Sequence, residues 1–316
     1  MSWNSNDKNS RGVVLVIVLV LFMALSSLTL MTIEVSSRGA VEASRVRSEY
    51  EAGFMAEEAL YVVYDLLKDD ETPFSDTPRE EWAEAWQDGG LSIEIYPCNS
   101  KINVNSIVSS QDQKRGLEIL GDILPKGADT RMLAGSLAVW AGVNVNSKLK
   151  QLDTFHYASQ IPAYSMRGKK FKTPEEVLLV RGWSGLGREW IDKYITVWGS
   201  GKININFAPP EVLVAYFPEL GNHLQTILHW RRTRGFNDIS QLLSITGIES
   251  GSKIYKNMTN ELTVKSDFFE ARVKATVGGC TVEKRYIIER KSTFEVGESE
   301  LVYQNNFSVT FTDDDE

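Results

Sequence analysis

The longest apolar run in the chain, Val13 to Ile33, reads VVLVIVLVLFMALSSLTLMTI, twenty-one residues without a charge. As a helix rising ~1.5 Å per residue it is roughly 31 Å long, about the hydrocarbon thickness of a bilayer. No small-residue cleavage site follows it, as a secretory signal would require. The run passes instead into Glu34, Arg38, Glu42, Arg45, Arg47 and Glu49, while Val35, Val41, Val46, Phe54, Met55, Ala59, Leu60, Val63, Leu66 and Leu67 keep a spacing of three and four. That spacing is helical, and proline is absent until Pro73. The pattern predicts one helix from about Val13 to Leu67, its first half membrane-spanning and its second half amphipathic. Lys8 and Arg11 precede the run, which places the short N-terminus in the cytoplasm and exports the rest.

Beyond this helix the period changes. Residues 69–90 carry Pro73, Pro78 and Gly89-Gly90 and read as a connector, with a short helical piece around Glu80 to Trp86. Leu91–Pro97 alternates apolar and polar residues, the mark of a half-buried strand, and Lys101-Ile-Asn-Val-Asn105 follows. From about Ser106 to Trp190 the chain is mostly helical, with helical spacing in Gly116–Leu124, Met132–Trp140 and Pro174–Val180. Thr173-Pro174-Glu175-Glu176 combines a capping hydroxyl, a first-position proline and an acidic first turn. Tyr194–Trp198 is β-branched and aromatic and reads as a strand, turned by Gly199-Ser-Gly201. Helices are predicted over Pro210–Phe217, His223–Arg232 and Ile239–Ile245. Strands return in LTVKS from Leu262, in FEARVKATV from Phe269, and in TVEKRYIIER from Thr281, the last two joined at Gly278-Gly279. The polar tail from Ser292, ending in Asp313 to Glu316, is expected to be loosely held.

Two stretches echo each other. Lys101-Ile-Asn-Val-Asn105 recurs as Lys202-Ile-Asn-Ile-Asn206, and Phe171–Gly182 recurs in pattern as Phe236–Gly247. The copies lie at different separations, so they form no fixed-period solenoid; a duplicated helical unit is the reading. Asn105 and Asn206 are expected to brace the backbone where the chain leaves a strand.

Composition narrows the function classes. The net charge of -8 is a poor basis for binding phosphates. Two cysteines exclude paired zinc motifs and a disulfide-rich scaffold. His156, His223 and His229 are scattered, no serine has a nucleophile-elbow context, and no pair of carboxylates stands out from surface charge, so no enzyme is predicted.

Arg11-Gly12 directly before the apolar run resembles the class III signal of type IV pilins and type II secretion pseudopilins. That resemblance implies cleavage after Gly12 by a membrane prepilin peptidase and N-methylation at Val13. Most members carry Glu as the fifth mature residue; here that position is Ile17. This departure, the large size, and a helical insert flanked by the two Ile-Asn segments resemble the K-type minor pseudopilin, with YITVWGSGKININ and Ala208-Pro-Pro-Glu-Val-Leu213 the most specific part. The match runs from Arg11 to about Arg290.

The resemblance implies an α+β pilin-like fold: a long N-terminal helix, an antiparallel sheet and a large inserted, mainly helical domain. The expected division is a cleaved leader (1–12), a transmembrane helix (13–33), its periplasmic continuation (34–68), a connector with the first strands (69–105), the inserted helical domain (106–193), a strand and turn (194–206), a second helical segment (207–258), C-terminal strands (259–291) and an acidic tail (292–316). It implies a single-pass protein of the bacterial inner membrane with a periplasmic head. Its partners would be the I- and J-type minor pseudopilins, the prepilin peptidase and the inner-membrane secretion platform, and its place the pseudopilus tip. The runner-up is a minor pilin of a type IV pilus or a membrane-anchored DNA-uptake receptor, because residues 202–248 also resemble helix-hairpin-helix modules. Arg231, Arg232 and Arg234 would serve DNA, but Glu219 and Glu249 stand where hairpin glycines should cradle a phosphate.

Pseudopilin heads often hold calcium in carboxylate loops. Asp69-Asp70-Glu71 and Asp313–Glu316 are the acidic groups available, without an ordered ligand spacing, so no ligands are assigned. Cys98 and Cys280 fall at strand ends of one sheet. In an oxidising compartment they form a disulfide where geometry allows; the alternative is two buried free thiols.

Overall fold

The computed structural model describes residues 6–68, 70, 72, 74–109, 113–143, 147–291 and 299–311. Helix α1 (Asn6–Lys68) is continuous through the apolar run and the charged sequence beyond it. Its residues from Val13 through Arg47 are exposed along the whole circumference, and only from Ser48 does one face become buried. Ser48, Ala52, Ala56, Ala59, Val63 and Leu67 form that face, recurring every three or four residues. Most are small, so a sheet can approach the helix axis closely.

The sheet is antiparallel, in the order β1-β2-β7-β8-β9. Its first members are β1 (Trp86–Asp88) and β2 (Leu91–Pro97). The predicted helical piece at Glu80 to Trp86 shrinks to a 3-10 turn over Glu81–Ala83, because Trp86 turns out to begin β1. A helical body then intervenes before β7 (Phe268–Val277), β8 (Cys280–Arg290) and β9 (Ser299–Phe311) complete the sheet. Alternation along these strands divides the two faces. Ile93, Ile95, Phe269, Ala271, Val273, Ala275, Val282, Tyr286 and Ile288 pack with the small residues of α1 in one core. Tyr286 donates its hydroxyl to the Ala56 carbonyl at 2.7 Å, tying sheet to helix at mid-contact. Gly278, at the β7–β8 turn, has φ +52°, and a Cβ there would come within 2.4 Å of Ser48 Oγ. Glycine is therefore required both for the turn and for the fit against α1.

The tail corrects the sequence reading. It is not loose over its length: residues 299–311 pair with β8 from Arg290↔Ser299 to Cys280↔Phe311, with irregularities near Glu283 and Ile287. Residues 292–298 and 312–316, the acidic end among them, lie outside the described residues.

The helical body comprises β3 (Ile102–Asn103), α2 (Val104–Ser109), α3 (Gln113–Ile123), α4 (Thr130–Trp140), α5 (Ser147–Ala158), α6 (Arg188–Tyr194) and β4 (Ile195–Thr196), then β5 (Ile203–Asn204), α7 (Pro210–Tyr216), α8 (Leu224–Thr233), α9 (Gln241–Thr246), α10 (Lys253–Glu261) and β6 (Leu262–Thr263). Pro174–Leu179 is 3-10 rather than α-helical. The strand read over Tyr194–Trp198 is shorter than expected: Tyr194 closes α6 and only Ile195–Thr196 pair. One hydrophobic cluster runs from Ile102 to Leu262 through both halves. The architecture is the expected α+β one: a long helix, an antiparallel sheet on it, and a helical insert.

The echo in the sequence is a structural duplication. Ile102 and Asn103 lie parallel beside Ile195 and Thr196; Ile203 and Asn204 lie parallel beside Leu262 and Thr263. In each copy the Asn of the strand accepts from the backbone of the Asn two residues on, Asn105 and Asn206, at 3.0 Å in both cases. That second Asn then grips the phenylalanine that opens the other repeated motif. Asn105 Oδ1 accepts from Phe171 N at 2.8 Å and its Nδ2 donates to Phe171 O at 3.0 Å; for Asn206 and Phe236 both distances are 2.8 Å. The remaining amide proton goes to Val197 O in the first copy and to Asp76 O in the second. The second copy thereby fastens the connector that follows α1. Both asparagines do what the sequence reading expected of them.

Candidate functional site

The surface available for assembly is the part of α1 that the sheet leaves uncovered. Val35, Val41 and Val46, on the stretch exposed all round, and Tyr50, Phe54 and Tyr61, on the stretch whose other face is buried, are all more than half exposed. Val46, Tyr50 and Phe54 recur every fourth residue and, with Glu49, Gly53, Glu57 and Lys284, line a groove between α1 and β8. Lys284, itself buried, reaches Glu57 at 2.6 Å and fixes the groove's floor. A stripe of apolar and aromatic side chains beside a groove is what a second helix needs for burial. Ile17, Gly12 and Val13 lie on the same helix, N-terminal to this region; Ile17 and Val13 are exposed and nothing approaches within 4 Å of a Cβ built on Gly12. α1 is the one helix among the described residues long and apolar enough to cross a membrane, consistent with single-pass anchoring.

On the opposite face of the sheet the contact with the helical body is ionic. Arg285 makes a bidentate pair with Asp192 (3.1 and 3.0 Å) and reaches Glu270 at 3.2 Å and Glu175 at 3.4 Å. Glu270 also binds Lys101 and Arg272, each at 2.8 Å. Burial pushes the Glu270 carboxyl upward, but Lys101, Arg285 and Arg272 together hold it at about 2. This network orients the helical body on the sheet. None of its ion pairs was read from sequence, although Glu175 was noted in a helix start and Lys101 in the repeat. The available signal was charge at inward-facing positions of two long strands, Glu270 and Arg285 among apolar neighbours.

A third cluster sits where α1 gives way to the connector. Carboxylate oxygens of Asp70, Asp76 and Glu80 lie within 4.8 Å of one another. This is the place to test calcium, and the donor set does not fit it. Arg290 already supplies the cation, at 2.6 Å to Asp70 Oδ2 and 2.5 Å to Asp76 Oδ1. Asp70 Oδ1 accepts from Thr72 N, Asp76 Oδ2 from Ser266 N, and Glu80 from Thr77 N and Trp82 Nε1. Each carboxylate oxygen therefore already accepts from a protein donor, and Arg290 meets the charge that a cation would otherwise balance. Of the acidic groups read from sequence only Asp70 is described; Asp69, Glu71 and Asp313–Glu316 lie outside the described residues.

Burial pushes Asp76 up to about 6 against the pull of Arg290, and burial together with the Asp70 charge pushes Glu80 up to about 7. The folded protein thus holds protons that the unfolded chain releases. The stabilisation is complete below the ordinary carboxylate range and is lost as pH rises through about 6 to 7. Wild-type protein is expected to melt at a lower temperature at pH 8 than at pH 5. Glu80→Gln, which fixes the neutral form, should flatten that slope; parallel slopes in scanning calorimetry would contradict the assignment.

The disulfide expectation is corrected. Cys98 follows Pro97, which pairs with Phe269, whereas Cys280 pairs with Val277 at the other end of β7. Eight residues of strand at ~3.3 Å each put roughly 26 Å between those ends, against the 7 Å or so a disulfide tolerates between Cα atoms. Both thiols are free and buried. Burial pushes Cys98 up to about 12, and burial and Glu49 raise Cys280 as well.

The basic cluster considered for DNA is engaged locally. Arg231 donates to Ala208 O at 2.7 Å, Arg232 to Leu228 O at 3.3 Å, and Arg234 stacks over Trp230. The two hairpins that would cradle phosphate carry Glu219 in a 3-10 turn over Pro218–His223 and Glu249 after α9. Neither offers the paired glycines of a phosphate nest.

Comparison with known proteins agrees with this geometry. Residues 203–265, from β5 through β6 and the segment just after it, match the family model described as type II secretion system (T2SS), protein K. That stretch contains the second Ile-Asn unit and the residues read as helix-hairpin-helix. A chain in the crystal structure of the GspK–GspI–GspJ complex from the type 2 secretion system of enterotoxigenic Escherichia coli has the same fold. The TM-score is 0.66 at 15% identity, over 84% of this chain and 99% of that one. No curated protein sequence matches the chain. The resemblance read from the Ile-Asn segments and the helical insert is therefore borne out in two ways: residues 203–265 match the protein K family model, and the fold is that of the GspK-complex chain.

Proposed function

We propose that this chain is a minor pseudopilin that caps the periplasmic tip of a type II secretion pseudopilus together with I- and J-type subunits. It is an assembly component and not an enzyme. The observation that carries the reading is the protein K match over residues 203–265 on a head of this fold. The GspK protein of the similar structure is seen in a complex with GspI and GspJ, and the uncovered stripe of α1 is the surface through which this chain would join such partners. In the inner membrane Val13–Ile33 holds the subunit, with the head in the periplasm, until the secretion platform lifts it. Prepilin peptidase removes residues 1–12 and Val13 is methylated. Two features favour the tip position. Ile17 supplies no carboxylate to the amine of a neighbour. The helical body widens the head beyond what stacking subunits leave free.

Processing is tested by intact-mass measurement of protein extracted from membranes of cells with an active prepilin peptidase. The expected mass corresponds to residues 13–316 plus one methyl group. A mass that retains the first twelve residues contradicts the processing step.

A further inference from the structure

Outside the helix and the sheet, the stretch from residue 147 to 172 combines exposed apolar side chains with exposed lysines. Of the acids just beyond it in sequence, Glu175 pairs with Arg285, and Glu176 is engaged by Arg167 and Lys172 N. On α5 the side chains of Asp153 and Tyr157 face the core, and the opposite side carries Leu152, 51% exposed, and Phe155, 76% exposed. Ile161, just past the end of the same helix, is 100% exposed. Large apolar side chains this far out of the surface have no concavity of their own around them. Between residues 147 and 172 five lysines are exposed, and the only acid, Asp153, is buried and paired with Arg181. The loop after Ile161 returns against the helical body at Gly142. There φ is +77° and a Cβ would meet Gly168 O at 2.7 Å. This close approach, with Gly168 N donating to Trp140 O at 2.9 Å, puts the Lys169-Lys170 stretch beside the end of α4, and the first turns of α5 carry Lys148 and Lys150. All this sits on a chain whose net charge is -8.

We propose that this basic, apolar-tipped face of the helical body docks on an anionic lipid surface. The charge complementarity selects anionic headgroups, each exposed lysine adding attraction close to the surface. The protruding Phe155 and Ile161 select a bilayer over a protein. A hot spot on a protein partner needs a matching pocket, whereas a bilayer interface takes up isolated apolar side chains between headgroups. The arrangement is that of an interfacial helix, with an apolar wedge flanked by lysines that reach the phosphates. The inference goes beyond the secretion reading and does not depend on it, since it rests on residues 147–172 and not on α1 or the matched segment.

The test uses the full chain, held by its own membrane helix in nanodiscs of phosphatidylcholine, so that the head is free to engage a second membrane. These discs are floated with vesicles of equal parts phosphatidylcholine and phosphatidylglycerol, or of phosphatidylcholine alone. The expected result is capture by the anionic vesicles only, weakening as salt is raised. Phe155→Ser with Ile161→Ser should reduce capture by about tenfold, and Lys150→Gln with Lys169→Gln should reduce it separately. All four side chains are exposed, and an unchanged circular dichroism spectrum verifies the fold. Equal capture by neutral vesicles, or no capture at low salt, overturns the proposal. Undiminished capture by the Phe155/Ile161 variant also overturns it, because lysines acting alone would mean general electrostatic adhesion with no apolar insertion into the bilayer.

Discussion

Asn206→Ala is expected to destabilise the protein by about 3–5 kcal/mol, the largest effect of any single amide in the head. Asn206 is 1% exposed and satisfies three backbone groups at once: Phe236 N, Phe236 O and Asp76 O. Truncation strands all three in a space closed to water, and an unsatisfied buried group costs about 1–3 kcal/mol. Asn206→Asp should not rescue. Its carboxylate still accepts from Phe236 N but has nothing to donate to the two carbonyls, and the buried charge adds its own cost. The companion Asn105→Ala should follow the same pattern, with Phe171 and Val197 losing their partner. Denaturant unfolding of detergent-solubilised protein measures both. A loss below about 1 kcal/mol for Asn206→Ala would mean that the paired Asn–Phe clamps do not hold the duplicated units.

Arg285→Ala is expected to cost a comparable amount by a different route. The guanidinium is 4% exposed and neutralises Glu270, itself 4% exposed, together with Asp192. Removing one partner of a buried ionic network costs about 3–5 kcal/mol, because the charges left behind remain desolvated. Arg285→Lys should recover only part of this, since an ammonium cannot reproduce the bidentate pair with Asp192. The loss should also show as faster proteolysis between sheet and helical body, which a purely local defect would not produce. Because Glu270 is held at about 2, its contribution is present above the unfolded carboxylate range. It is lost only as pH falls from about 4.5 toward 2, the opposite sign to that of Asp76 and Glu80.

How much of this was legible in the chain depended on how local each cause was. Helix α1 was read to within a residue at its C-terminal end because periodicity and the absence of proline act residue by residue; its start, Asn6, precedes the apolar run by seven residues, in polar sequence that carries no such period. β2 was read to the residue, because its alternation reflects a strand with one face in a core. β9 was missed for the complementary reason. It is an edge strand, its side chains are largely exposed or half-buried, and polar residues such as Gln304 and Asn305 dilute its alternation. Tyr194–Trp198 erred the other way: β-branched residues imitate a strand, but pairing with Ile102–Asn103 ends after two residues.

The functional features divide along the same line. The Asn and Phe of each repeat were visible as an echo, yet only the fold shows that one grips the other. Cys98 and Cys280 were correctly placed at strand ends, but which end depends on antiparallel topology that spacing does not encode. The acidic cluster needed Asp76, Glu80 and Arg290 brought together from distant segments. From sequence only Asp70 of that group drew notice as an acidic candidate, and in the fold it pairs with an arginine.

The central claim is that this chain enters a tip complex of minor pseudopilins through the uncovered stripe of α1. The most direct measurement is native mass spectrometry of the full chain co-expressed with its I- and J-type partners and extracted in detergent. One copy of each in a single complex is predicted, and Tyr50→Lys with Phe54→Lys should abolish it while leaving the head folded. A chain that emerges alone, or a complex untouched by those substitutions, would contradict the claim.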